Sequence, residues 1–206
     1  PHYVLNYENV FKEKVIDDFR IVSLSREISV QGRREVLLGK GKFGIFGDGK
    51  ELPQIVMSHF FKDGDFRSGY YRDQTLLISQ NLLKAREIFA AVYGHPDKVY
   101  ERMSGGRQMA GHFLTNTIDE NDKWLDQTKQ KNHISDISPT ASQMSRLVGL
   151  GLASKIYRDN KVVNSNNFSK NGNEIVWGTI GNASTSEGIF FEAVNACGVL
   201  QIPAVI

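Results

Sequence analysis

The feature that most restricts the fold of this chain lies in its last third, where helical spacing and short apolar runs alternate. Leu147, Val148, Leu150, Leu152, Ala153 and Ile156 line one helix, with Gly149 and Gly151 permitting close packing. Residues 175–180 read as a short buried strand, and residues 186–198 as a helix with Ile189, Phe190, Ala193, Val194 and Cys197 on one side. Residues 203–206 begin a further strand and stop in mid-element. Helix, strand, helix, strand in that order predicts an α/β fold on a parallel sheet, since parallel neighbours need a long crossover.

Upstream the signals are looser. Residues 8–31 predict an amphipathic helix, with Val15, Ile16, Phe19, Val22 and Leu24 as its apolar positions and the pattern continuing to Ile28 and Val30. Residues 39–50 are too glycine-rich for regular helix, and a second helix is expected over about 51–61, with Pro53 tolerated in its first turn. Asp63-Gly64-Asp65 reads as a turn, residues 66–73 as a compact segment, and residues 74–92 as one helix. Residues 94–137 show little periodicity and read as a long loop region, and Ser138-Pro139 resembles a helix start. With 206 residues, 40% of them hydrophobic, the chain can bury one sizeable core. A single domain over 1–206 is therefore expected, residues 1–65 forming its helical N-terminal region.

Bulk properties exclude several classes. A net charge of +2 supplies no dense basic face for nucleic acid, and the run Arg33, Arg34, Lys40, Lys42 reads as solvated loop charge. No apolar run approaches the roughly 20 residues of a membrane span. Cys197 is the only cysteine, so neither an intrachain disulfide nor an all-cysteine metal site can form; in its apolar surroundings it reads as a small hydrophobe. The start, Pro1-His2-Tyr3, carries no signal-peptide core, so the sequons at Asn167 and Asn182 are discounted and a cytoplasmic location (the mitochondrial matrix if eukaryotic) is expected. His59, His95 and His133 show no metal-ligand spacing, and Trp177 with Phe190-Phe191 reads as core.

The chemistry concentrates where the strand at 175–180 turns into the next helix, at Gly181-Asn182-Ala183-Ser184-Thr185-Ser186-Glu187-Gly188. In open parallel sheets ligands bind beyond the carboxyl ends of strands, where helix N-termini offer amides and a positive dipole to phosphate. Small residues let backbone approach an anion, and the Asn182 side chain can give an oxygen to a hard cation such as Mg²⁺. Serine and asparagine serve equally well as simple helix caps at such corners, so the corner alone leaves both readings open.

The surrounding residues add a resemblance. The corner, followed by Glu192, Asn195-Ala196 and Pro203, resembles the thiamine-diphosphate motif of 2-oxo acid dehydrogenase E1 α subunits, the bacterial branched-chain type above all. Tyr70-Tyr71-Arg72-Asp73, Gly106-Arg107-Gln108-Met109 and Ser138-Pro139-Thr140-Ala141-Ser142-Gln143 match further family segments in the expected order. The resemblance implies that Tyr71 and Arg72 hold the cofactor's diphosphate, a task suited to a guanidinium fork. It implies that Gly181 opens the motif, that Asn182 stands at the Mg²⁺ ligand, and that Ala183 and Ser184 offer backbone donors. Ser138 matches a cofactor contact, and Thr140 stands where a bulky apolar residue usually props the cofactor. Pro139 (by its carbonyl), Ser142 and Gln143 match ligands for K⁺. His112 follows the segment that lines the channel to the cofactor ring, where it can donate a proton or a hydrogen bond; a loop histidine satisfied by backbone is the alternative.

The family pattern implies decarboxylation of a 2-oxo acid on thiamine diphosphate and transfer of the acyl group to a lipoyl-bearing E2 transferase. It also implies an E1 β-type subunit or fused β-type domain, in a heterotetramer or a dimer of fused chains. Three departures stand out: Asn182 replaces a carboxylate, Ala183 replaces a glycine, and the asparagine that closes the motif would lie beyond Ile206. The resemblance therefore implies that residues 1–206 alone would not turn over substrate. These departures keep a noncatalytic assembly domain of the same fold as the rival. Gly47-Asp48-Gly49 is read as a turn entering a helix, and Gly44 to Lys50 fails as a nucleotide-phosphate loop because Glu51 stands where a hydroxyl must bind Mg²⁺.

Overall fold

A computed structural model describes residues 2–108, 111–160, 162–163 and 165–206, with side chains described from Val10 onward. Met109, at the end of one matched segment, lies outside the described residues. The chain forms two compact units, Pro1–Phe60 with Arg72–Gly111, and Phe61–Tyr71 with His112–Ile206. No helix among the described residues is long and apolar enough to cross a membrane.

The first unit is helical: α1 (His2–Leu37), α2 (Glu51–Phe60), α3 (Gln74–Ser79) and α4 (Ala85–Val92). Helix α1 runs well past the expected 8–31, and of its expected apolar positions Ile28 is buried and Val22 half-buried but most face outward. Val15, Ile16, Phe19 and Leu24 are exposed, whereas Ser25, Ile28, Ser29 and Glu35 are buried. Small polar residues succeed there because α3 answers them: Thr75 Oγ1 lies 2.7 Å from Ser25 Oγ, and Gln74 Nε2 donates to Ser25 O and Ser29 Oγ. Gly32 completes that face, since a Cβ on it would lie 2.2 Å from the Phe46 ring.

The turn at Gly47-Asp48-Gly49 does open a helix, α2, with Lys50 N donating to Gly47 O. Glu51, only 2% exposed, takes both Nε and Nη2 of Arg26 at 2.7 and 2.8 Å. The single helix expected over 74–92 is two. Asn81 adopts a left-handed conformation (φ 58°), which a short amide side chain tolerates, and α4 restarts where Glu87 reaches back to the Lys84 amide at 2.7 Å.

The second unit is α/β. Its strands β1 (Phe66–Ser68), β2 (Asn132–Ile134), β3 (Val176–Gly178) and β4 (Ala204–Val205) form a wholly parallel sheet in the order β2-β1-β3-β4. Helices α5 (Ser142–Asp159) and α6 (Gly188–Leu200) supply the crossovers around β3. The expected fold class is thus observed. Two of its strands, β1 and β2, fall in stretches read from sequence as a compact segment and a long loop.

They escaped because each is three residues long and carries polar side chains inward: Arg67, Ser68, Asn132 and His133 are all 0% exposed. The buried polar groups are answered in place. Asp65 takes the amides of Lys62 and Ile175 and the indole Nε1 of Trp177, at 3.0, 2.9 and 3.0 Å. Ala141, Met144 and Ala193 form a core cluster with Val148, Ile180, Ile189 and Phe190. Gly178 must lack a side chain there, since a Cβ would lie 2.2 Å from Leu147 Cδ1. Trp177 is core as expected, but Phe191 is not: it turns outward, 62% exposed.

Candidate functional site

The parallel register brings three of the singled-out segments to one edge of the sheet. Ser68 pairs with Ile134 on one side and with Gly178 on the other, so β1, β2 and β3 end level. Tyr70-Tyr71 follows β1, Ser138 to Gln143 follows β2, and Gly181 to Ser184 follows β3. The chain runs from β1 outward to β2 and then to β3 on the opposite side of β1. That reversal makes the carboxyl edge around β1 a topological switch point, the place where open α/β sheets bind ligands.

Four side chains at this edge touch one another. The Tyr70 and Tyr71 rings are 4.1 Å apart, and the Tyr71 ring is 5.8 Å from that of His112. Tyr70 Oη reaches Tyr71 Oη at 3.1 Å and the Ser138 carbonyl at 3.0 Å. His112 Nε2 is hydrogen-bonded to Ser138 Oγ. Tyr71, Ser138 and His112, singled out from separate parts of the sequence, are therefore neighbours. His112 meets the Ser138 side chain. The part Tyr70 plays in tying Ser138 to Tyr71 is visible only in three dimensions.

The segment after β2 differs from the sequence expectation in one respect. The helix does not start at Ser138-Pro139 but at Ser142, because Ala141 is left-handed (φ 61°). Residues 139–142 form a turn closed by Ser142 N donating to Pro139 O at 3.2 Å, and Ser138, Pro139 and Thr140 are exposed. Ala141 tucks its methyl into the core at 1% exposure, and that burial offsets the backbone strain. Gln143, also 1% exposed, donates from Nε2 to Thr179 O at 2.8 Å, while its Oε1 is buried without a hydrogen-bond partner. A buried amide oxygen left unanswered suits a cation, which needs oxygen ligands and no donors.

The corner after β3 is open. Residues 182–186 form one 3-10 turn before α6, with Ser184 N bonded to Gly181 O at 2.9 Å. Asn182 and Ala183 are exposed, and the first amides of such a turn have no carbonyl inside it to bond. Ala183 is absent from the left-handed residues, so replacing glycine there imposes no backbone strain. The amides of Asn182 and Ala183 are thus open to an anion, while that of Ser184 is held by Gly181 O.

In the helical unit, Arg72 is half-buried, and its carbonyl accepts from Gln54 Nε2 at 3.1 Å. Gly47 packs on that carbonyl, where a Cβ would lie 2.4 Å from the oxygen. Arg107 and Gln108 are exposed at the end of a loop organised by Glu101. That carboxylate is 0% exposed and takes the amides of Met103, Ser104 and Gly106 and the Ser104 hydroxyl, at 2.7 to 3.0 Å. Burial pushes the Glu101 acid upward, but the four donors outweigh it and hold the group below the usual carboxylate value.

A family model described as "Dehydrogenase E1 component" matches residues 23–206. The chain belongs to the dehydrogenase E1 component family. A relative named 2-oxoisovalerate dehydrogenase subunit alpha, from Bacillus subtilis (strain 168), is 24% identical over 195 residues. That alignment covers 94% of this chain and 50% of the relative, so the chain spans about half the length of the curated relative it matches. The family match takes in the matched segments at Tyr70, Gly106, Ser138 and Gly181 alike.

Sequence reading of this E1 chain passed over a buried cluster behind the edge residues. Arg67 Nε donates to His133 Nδ1 at 3.0 Å, its Nη1 donates to Asp136 Oδ1 at 3.0 Å, and its Nη2 bonds the same oxygen. Burial, reinforced by Arg67 and Lys131, pushes His133 well below its ordinary value, so its ring is neutral and can accept that bond. The available sequence signal was Arg67-Ser68-Gly69: a Cβ on Gly69 would lie 2.0 Å from Arg67 Nη1, so the glycine leaves room for the folded-back guanidinium.

Proposed function

We propose that this chain supplies the α-type part of the cofactor site in a thiamine-diphosphate-dependent 2-oxo acid dehydrogenase E1 component. The observation that carries the reading is the convergence of Tyr71, Ser138 and the open corner at Gly181 on the level carboxyl edge of β1, β2 and β3. The corner's exposed amides at Asn182 and Ala183, with Ser184, would hold the diphosphate together with Tyr71. The Asn182 amide oxygen would be a Mg²⁺ ligand, with one negative charge fewer than a carboxylate supplies. The unanswered Oε1 of Gln143, with the Pro139 carbonyl and Ser142, would take K⁺.

When bound, thiamine diphosphate supplies the carbanion chemistry that releases CO₂ from a 2-oxo acid. The residues of this chain would bind, orient and polarise. Ser138 and Thr140, exposed beyond β2, would face the cofactor, and the hydrogen bond to Ser138 would hold the His112 ring beside them. An E1 β-type partner and a lipoyl-bearing E2 transferase complete the proposed assembly, and a branched-chain 2-oxo acid is the proposed substrate.

Isothermal titration of thiamine diphosphate with Mg²⁺ into the full chain paired with its β-type partner tests the reading. Micromolar binding that is weakened but still measurable in Ser138→Ala and Tyr71→Phe is expected. Absence of heat at high micromolar cofactor would overturn it in favour of a noncatalytic assembly domain, the reading that Asn182 in place of a carboxylate favours.

A further inference from the structure

Arg67 and Asp136 form an ion pair with neither partner in water, at 0% and 5% exposure. Burying two charges costs more than burying an apolar pair of the same volume, so such a pair is poorly explained by stability alone. Its geometry supplies another reason. Asp136 Oδ1 receives Arg67, while Oδ2 receives the Phe113 amide at 3.0 Å, and the Asp136 amide donates to the Phe113 carbonyl at 3.1 Å. Phe113 is thereby held through both backbone groups by one residue. Its ring also meets that of His133 edge-on at 6.0 Å, and His133 in turn holds Arg67 Nε. His112 precedes Phe113 and Ser138 follows Asp136 by two residues, and these outer two meet.

We propose that the Arg67–Asp136 pair is a positioning device that sets the His112–Ser138 contact. The proposal rests on the reading of His112 and Ser138 as cofactor-facing groups and adds two residues to that site. Arg67 is fixed by the sheet: it lies on β1 opposite His133 in register, and Gly69 leaves no side chain to displace its guanidinium. Asp136 carries that fixed point to the Phe113 backbone. Substituting asparagine puts a donor NH₂ against either Arg67 or the Phe113 amide, since both of these already donate. The clamp therefore needs a carboxylate.

The test is the ring signal of His112 in the full chain, followed by NMR and assigned through His112→Gln, with Ser138→Ala marking the position of a His112 that has lost its partner. In Asp136→Asn the His112 signal is expected to move to the Ser138→Ala position. The double variant Arg67→Met/Asp136→Leu, which removes both charges and keeps the approximate side-chain shapes, is expected to fold and to do the same. A His112 signal that stays at its native position in either folded variant overturns the proposal.

Thiamine diphosphate affinity gives a second readout. Asp136→Asn is expected to weaken it at least tenfold alone and to add nothing in a Ser138→Ala background, because both changes break one contact. Full additivity would mark a general structural effect and overturn the proposal. If the unaltered chain takes up no thiamine diphosphate, the functional reading fails by itself, and the ring signal still decides for or against the clamp.

Discussion

Gln143 Nε2 donates to the Thr179 carbonyl at 2.8 Å, tying the first turn of α5 to the residue just beyond β3. The same amide's oxygen, buried and unanswered, faces the demand that every buried acceptor makes for a donor or a cation. If K⁺ fills it, stability depends on that ion. At tenfold over its dissociation constant K⁺ adds about 1.4 kcal/mol, a rise in Tm of roughly 3–6 °C for a chain of this size. Thermal unfolding in K⁺ and in choline salt at equal ionic strength should show this difference, and Gln143→Met should abolish it. An equal shift in the variant removes Gln143 from the ligands.

Restoring the carboxylate at Asn182 is the sharpest probe of the corner. An anionic ligand strengthens binding of a hard cation, so Asn182→Asp should tighten Mg²⁺-dependent thiamine diphosphate binding by about tenfold. Asn182 is exposed, so the change should leave the melting temperature nearly unmoved. Titration calorimetry at fixed Mg²⁺ measures both variants, and unchanged affinity would place the metal elsewhere.

Asp65 holds the edge of the sheet unit through three hydrogen bonds, one to the Trp177 indole. Asp65→Ala leaves those donors buried without an acceptor, at a cost of about 2–4 kcal/mol. Urea unfolding should show the loss, and Trp177 emission should shift to the red as water reaches the ring. A loss below about 0.5 kcal/mol would mean that the donors find other partners.

Acid should loosen the Glu101 loop. The folded-state pKa of Glu101 lies below its ordinary 4.5, so its carboxylate contributes stability that is fully present above that value. The contribution is lost as pH falls from 4.5 through the depressed folded value. Amide hydrogen exchange at Met103, Ser104 and Gly106, corrected for intrinsic rates, should accelerate over that window. Glu101→Gln should show weakened protection already at neutral pH. Equal protection at pH 6 and pH 3 would show that the loop does not depend on the charge.

How much of this was legible in the residues depended on where the information is stored. Helical spacing in α5 and the apolar run at β3 are local properties, and so is the small-residue corner that follows; each was readable in order. The strands β1 and β2 were not, because Arg67, Asn132 and His133 are polar and pass for loop until a neighbour supplies their partners. Val15, Ile16, Phe19 and Leu24 of α1 face outward for the complementary reason. Ser25 and Ser29 are buried only because Gln74 and Thr75, far along the chain, satisfy them.

By itself, then, the sequence determined the α/β class, the order of segments and the residue types offered to a ligand. Tertiary structure alone decided that Tyr71, His112 and Ser138 meet, since strand register is set by pairing between distant segments. It alone decided also that Arg67 can stay charged out of water, because that state requires Asp136 on the other side of the pair.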